Sequence, residues 1–391
     1  MDKTLLWIWF TAKRYVSPRK KLHLWEVFGD VERIFSEESF DDITWLSPKE
    51  KNELLDKDLA KAREISLRTR KIGGRIVTYE DSEYPELLKN IDDPPFVLYI
   101  RGEKINVDKS MTIGVVGTRR NSGIGHDITH DICYDLAQKG VIIVSGLARG
   151  IDTIASATAV NMGGRSIAVL GCGLDVIYPP ENGNLYEKIA NAGMLVTEYP
   201  VGMRAYPSNF PRRNRIIAGL SRGVLVTEAP KTSGSLITAR QAMENGRDVF
   251  AVPRAAKDYY CGTNRLIQQG AKLVCSAEDI LVEYPYMEKT LIPIKTPKYR
   301  KEDVLKKKEL LPKNEQKNHN NEYKERYNEI YNKCDDTQKK LIEIIAKEEI
   351  HIDEIVRNSG LEIAAVNTAL MMMEMNGYIK KHVGNKYSIK L

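Results

Sequence analysis

The chain has 391 residues, 42% of them hydrophobic and 29% charged, with a formal net charge of +6 at pH 7. That length suits two or three domains, and no apolar run is long enough to span a bilayer, so a soluble, cytoplasmic protein is expected. Cys133, Cys172, Cys261, Cys275 and Cys334 are odd in number and never spaced as metal pairs, which argues against both a disulfide scaffold and a cysteine metal site. The modest positive excess permits a nucleic-acid partner without requiring one, so the placement of the charges has to decide.

Residues 1–70 read as a small helical domain anchored by Trp7, Leu22, Trp25, Phe28 and Phe35. The apolar Leu5–Phe10 run has no small-residue cleavage site after it, so it reads as a helix face rather than a secretion signal. Two short strands follow, Ile76–Tyr79 and Phe96–Ile100, around the turn Asp92-Asp93-Pro94-Pro95. From Met111 onward, β-branched runs alternate with helix-period segments. The strands expected are Thr112–Val116, Val141–Val144, Ser166–Leu170, Met194–Thr197, Gly223–Thr227, Asp248–Val252 and Ala271–Val274. Continuous apolar strands separated by helices predict an α/β fold, a Rossmann-like doubly wound and mostly parallel sheet over residues 75–283. Residues 284–336 turn Lys-, Glu- and Asn-rich and read as a flexible charged linker. Three helices (around Leu341–Ile345, His351–Asn358 and Ile363–Met375) and a hairpin about Gly384-Asn385 then predict a C-terminal winged-helix domain over 337–391, which binds either DNA or protein.

In such sheets ligands bind beyond the carboxyl ends of the strands, which is where this chain puts its glycines and cations. The first loop, Gly117–Gly123, carries Arg119 and Arg120; the second, Ser145–Asp152, holds Ser145, Gly146 and Arg149. A third is Gly171–Asp175, and a fourth places Lys231, Ser233 and Gly234 before a helix. Backbone N–H groups at strand-to-helix turns, joined by cations, suit phosphate. The segment Asn209–Ser221 reads as a short helix with Asn209 as N-cap, Pro211 in the first turn, Gly219 as stop, and Ile216, Ile217 and Leu220 as its buried stripe. Its Arg212, Arg213 and Arg215 sit where the helix dipole is positive, an arrangement that suits an anion.

Other chemistries find less support. The first loop lacks the Gly-Lys-Ser/Thr end of an ATP-binding P-loop and the glycine spacing of a dinucleotide site. His126 and His130 sit four apart on a helix whose expected stripe, Ile124, Ile128, Ile132 and Leu136, lies about 200° away; with no third ligand apparent, no metal is expected. No catalytic triad or paired carboxylates can be assembled, and Asp152, Asp175 and Glu228 read as loop-capping acids. The chain is therefore expected to be a binding protein rather than an enzyme, with no cofactor.

Long collinear runs then carry a family resemblance: Gly117–Arg120, Ser145–Asp152, Ala168–Asn182, Asn209–Ser221 and Ser233–Ala239. Together they resemble the DNA-processing protein A (DprA, also Smf) family. The resemblance implies single-stranded DNA binding, a homodimer formed through the Rossmann-like domain, and loading of the RecA recombinase in recombination or natural transformation. The N-terminal segment would be a SAM or helix-hairpin-helix-like domain. It also implies a pocket built from Arg119, Ser145, Gly146, Arg149, Phe210, Arg212, Arg213, Asn214, Arg215, Ser233 and Gly234, with Phe210 offering a stacking face. This chain departs from the family after Val252-Pro253, where Arg254 replaces the usual Gly, and in the loop 255–260. The Arg212–Arg215 run is therefore expected to matter more than that loop. The alternative is a Rossmann-like nucleotide-processing enzyme of phosphoribohydrolase type, which Glu228 near Ser233-Gly234 would serve.

Overall fold

The computed structural model describes residues 2–291, 330–345, 350–382 and 386–389. They fall into two compact units, residues 1–296 and 297–391. The first begins with five helices: α1 (Lys3–Ala12), α2 (Pro18–Phe28), α3 (Val31–Ser36), α4 (Pro48–Leu55) and α5 (Ala60–Lys71). Short polar caps start several of them, and Ser47 with Glu50 forms a full capping box on α4, closing backbone donors that a helix end leaves open.

The sheet follows: β1 (Arg75–Thr78), α6 (Glu86–Lys89), β2 (Val97–Gly102), β3 (Thr112–Val116), α7 (Gly123–Gln138), β4 (Ile142–Ser145), α8 (Ile151–Asn161), β5 (Ser166–Val169), α9 (Gly183–Ala192), β6 (Met194–Thr197), α10 (Asn209–Gly219), β7 (Gly223–Val226), α11 (Ser235–Glu244), β8 (Asp248–Ala251), α12 (Gly262–Gln268), β9 (Lys272–Leu273) and α13 (Ala277–Leu281). The nine strands lie in the order β1-β2-β6-β5-β4-β3-β7-β8-β9. Pairs from β6 through to β9 are parallel, while β1–β2 and β2–β6 are antiparallel. This is the doubly wound Rossmann-like sheet, extended by an antiparallel edge. Every residue of β3, β4, β5, β6 and β7 is buried, as expected for parallel strands covered on both faces.

The chain moves from β3 out to β6, then crosses back through α10 to place β7 on the other side of β3. The loops after β3 and β7 therefore diverge, leaving a crevice at that switch point. One side of the sheet packs against α7, α8 and α13, the other against α6, α10 and α11. The N-terminal helices share one core with the sheet: Trp7, Phe10 and Leu24 cluster with Phe96, Leu147, Leu170 and Leu195, and Trp7 stacks on Phe96 at 5.1 Å.

Two sequence expectations change here. Ile124 is not in the buried stripe of α7 but 63% exposed; Thr129, Ile132, Cys133, Leu136 and Ala137 face inward instead, because the helix starts only at Gly123, with Ser122 as its cap. The ordered fold also runs past Glu283: Tyr284 and Met287 are buried, and Tyr284 donates to Asp248 at 2.7 Å. Residues 292–329 of the expected linker lie outside the described residues.

The second unit contains α14 (Asp336–Ile345), β10 (Ile350–His351), α15 (Ile352–Ser359), α16 (Ile363–Met375), β11 (Ile379–His382) and β12 (Lys386–Ile389). Its strands form a sheet in the order β10-β12-β11, and Leu341, Ile345, Ile355, Val366, Leu370 and Ile379 fill the core. This is a winged helix. The short strand β10 was not foreseen, and the turn at Gly384-Asn385 lies outside the described residues.

Candidate nucleic-acid interface

At the switch point the loops after β3, β4 and β7 and the start of α10 surround a cavity of about 630 Å³. Its framework and the neighbouring loops are held by three acids, of which Glu228 and Asp152 are buried. Glu228, fully buried after β7, accepts from the Ser122 backbone N–H at 2.9 Å, the Ser122 hydroxyl at 2.6 Å and Arg254 at 3.2 Å. One carboxylate thus fixes the β3 loop, caps the α7 region and neutralises a buried guanidinium. Asp152 accepts from the Gly146 N–H at 3.1 Å; burial pushes its carboxyl up to about 6, against the pull of Arg213. Asp175 accepts from the Gly202 N–H at 2.8 Å. All three acids brace loops, as their sequence context suggested.

The predicted residues separate into distinct environments. Arg119 and Arg120 are exposed and line the cavity, with Arg119 5.5 Å from the centroid of the Phe210 ring, within cation–π range. Phe210, Asn214, Ser233 and Gly234 also line it. Phe210 is seated against Gly171 and 5.1 Å from Tyr178; a Cβ at Gly171 would stand 2.8 Å from the Phe210 ring, so glycine is needed there for the ring to lie flat.

Others are absorbed by the protein. The Ser145 hydroxyl is buried and donates to the Val115 carbonyl at 2.7 Å, while the Gly146 N–H is taken by Asp152; neither group is left for an anion. Arg213 lines the cavity, but it is buried and donates to the carbonyls of Gly146 (2.7 Å) and Val169. Burial lowers its pKa. Arg213 works as a strut between the β4 and β5 loops. Arg215 points elsewhere: it grips Glu198 with two bonds of 2.7 and 2.8 Å and bonds Asp93 at 3.1 Å. Burial opposes its charge, yet these acids hold its pKa above the ordinary value. The expectation that Arg213 and Arg215 offer their guanidiniums to a bound anion is thus corrected, because both are buried and already engaged by carbonyls or carboxylates of the protein. Arg149 and Lys231 are not among the residues lining this cavity; Arg149 pairs on the surface with Glu181. Arg212 is half-exposed, 3.7 Å from Glu198. The N-cap position of α10 is Ser208, and Asn209 instead donates to the Gly171 carbonyl at 3.0 Å.

The loop after β8, which the sequence reading weighed least, reaches the cavity. Tyr259 and Tyr260 line it; Tyr260 donates to the Arg120 carbonyl at 2.8 Å and Tyr259 is 73% exposed. Arg254 lies 5.7 Å from the Tyr260 ring while paired to Glu228 and Asp258. The signal available in the sequence was the Tyr-Tyr pair in a loop otherwise judged only by its departure from a pattern. His126 and His130 are exposed, each beside the neighbouring Asp, and among the described residues no three metal-type side chains converge. No described helix is long and apolar enough to cross a membrane.

A cavity at strand ends, edged by three aromatic rings and by two exposed arginines that among the described residues meet no carboxylate, has the makings of a phosphate-and-base surface. The family model described as DNA recombination-mediator protein A matches residues 75–285, and that of the DprA winged helix domain matches residues 332–385. Protein Smf of Synechocystis is 37% identical over 328 residues, covering 80% of this chain and 79% of its own. The DNA processing protein DprA of Bacillus subtilis is 44% identical over 217 residues, covering 55% of this chain and 73% of its own. The solved structure of DprA from Streptococcus pneumoniae superposes with a TM-score of 0.64 at 36% identity, over 72% of this chain and 99% of that one. On the extent of these matches, the chain belongs to the DprA/Smf family of DNA-processing proteins.

Proposed function

We propose that this protein binds single-stranded DNA at the strand-end cavity and delivers it to the RecA recombinase, acting as a cytoplasmic homodimer without catalysis of its own. The observation that carries the binding is Arg119 set over the Phe210 ring at the mouth of a cavity whose acids, Asp152 and Glu228, are already engaged. Cations left over at the mouth attract the phosphate backbone, and a ring beside them stacks on a base without reading its identity. Tyr259 and Tyr260, which line the same cavity, add further stacking surface. The RecA step and the dimer rest on family membership and on the need for a carrier to pass its strand on.

The phosphoribohydrolase alternative loses its main support, since Glu228 is fully buried and saturated by Ser122 and Arg254 and cannot reach a substrate. The test is an anisotropy titration of labelled single-stranded oligonucleotide across salt concentrations. Arg119→Ala is expected to weaken binding about tenfold and to reduce the log–log salt slope by about 0.7. Unchanged affinity in that variant would reject the cavity as the binding site. A RecA filament-formation assay on strand precoated with single-strand binding protein then tests delivery; the proposal requires faster nucleation with wild type than with Arg119→Ala.

A further inference from the structure

At about 100° per residue, α10 turns a second face away from the strand-end cavity. Phe210, Pro211, Arg213 and Asn214 border that cavity, while Arg212 and Arg215 border another, of about 380 Å³, at the seam between the N-terminal helices and the sheet. Six cations line the seam: Lys13, Arg14, Lys21, Lys61, Arg212 and Arg215. Its two acids, Asp93 and Glu198, are both held by Arg215. Lys13 is committed to Asp56, donating to its carbonyl at 2.6 Å. Among the described residues the side chains of Arg14, Lys21 and Lys61 meet no carboxylate, with Arg212 half-exposed beside them.

Lys21 is the informative group. It is only 8% exposed, and its ammonium donates to the Thr11 carbonyl at 2.9 Å. Among the described residues no carboxylate lies within ion-pair distance of it, and the nearby Glu53 is occupied by the backbone N–H groups of Arg14 and Tyr15. An ammonium has three donors, and a buried one without a counter-charge is costly. Burial, helped by repulsion from Arg212, lowers the Lys21 pKa to about 8 against the upward pull of Glu53, Asp93 and Glu198. Clustered cations with too few acids are what an arriving anion would relieve.

We propose that the seam is a second phosphate site, which takes a backbone phosphate of the same strand that occupies the strand-end cavity, with Arg212 at the crossing over α10. The inference rests on the strand-binding reading above. What favours a continuous strand is that one short helix borders both cavities and carries the half-exposed Arg212 on its seam side, next in sequence to Pro211 and Arg213 of the strand-end cavity.

The test compares oligonucleotides of about 6 and about 20 nucleotides on the full chain. Arg14→Ala combined with Lys61→Ala removes two exposed side chains and leaves the core intact. The double variant is expected to lose about tenfold in affinity for the long strand, with a salt slope smaller by about 0.7 for the one phosphate no longer held, and nothing for the short one. Lys21→Met should show the same length-dependent loss without a fall in melting temperature, which a purely structural lysine would not do. The proposal is overturned if the double variant binds both lengths as wild type does, or loses equally on both. It is also overturned if a nucleoside monophosphate raises the melting temperature of wild type but not of the variant with no length effect, since the seam would then take a free phosphate. Loss of binding in Arg119→Ala together with no effect at the seam rejects this proposal alone. Arg119→Ala without effect on either length rejects the strand-end reading, and the seam proposal with it.

Discussion

Four arginines in and near this site differ less in chemistry than in what each has already bound. Arg119 faces solvent over an aromatic ring; Arg213 holds two carbonyls; Arg215 and Arg254 neutralise buried carboxylates. Removing a guanidinium from a buried pair strands the partner charge, and this costs about 3–5 kcal/mol. Arg215→Ala is therefore expected to lower stability by that amount, measured from urea unfolding, because Glu198 would keep only Arg212 at 3.7 Å. Arg119→Ala should leave the urea midpoint unchanged while weakening DNA binding. Gly146 belongs to the same logic: a Cβ there would stand 2.3 Å from Arg213 and 2.6 Å from Asp152, so the glycine lets the strut reach its carbonyls.

Among the elements, α10 is the pivot. Its apolar stripe of Ile216, Ile217 and Leu220 is fully buried, which fixes the rotation of the helix and so decides which polar residue meets which cavity. The loop 255–260 is the opposite case, placed by side chains rather than by a regular element. Arg254 anchors its start through Glu228, and Tyr260 ties it to the β3 loop. Tyr259→Ala should weaken single-strand binding by about 1–3 kcal/mol if one base stacks there. Oligonucleotides of abasic sugar-phosphate should not distinguish the variant from wild type, since stacking needs a base.

For the whole molecule, the shared core of the N-terminal helices and the sheet buries Lys21 between layers. Its folded pKa of about 8 lies below the ordinary lysine value of 10.5. Below pH 8 both folded and unfolded chains hold the proton and the burial cost is constant. Between about pH 8 and 10.5 the unfolded state binds more protons, so this group's contribution to stability rises with pH. Wild type should thus gain up to about 3 kcal/mol relative to Lys21→Met across that window, read from paired urea titrations at pH 7.5 and 10 in which other titrating groups cancel. Bound oligonucleotide supplies the missing counter-charge and should shift the gain to higher pH.

The sequence by itself determined the doubly wound sheet, because buried parallel strands must be apolar along their whole length, and it determined the winged helix through helix periodicity and the hairpin. It also marked the strand-end loops, since glycine-rich turns after such strands collect where the topology reverses. Only the tertiary structure decided which cations remain free. Arg212, Arg213 and Arg215 look alike along the chain, yet the groups that claim two of them come from four separate places: Asp93 before β2, the Gly146 carbonyl after β4, the Val169 carbonyl at the end of β5 and Glu198 after β6. Charge in a sequence counts groups; only the fold determines which of them are already neutralised.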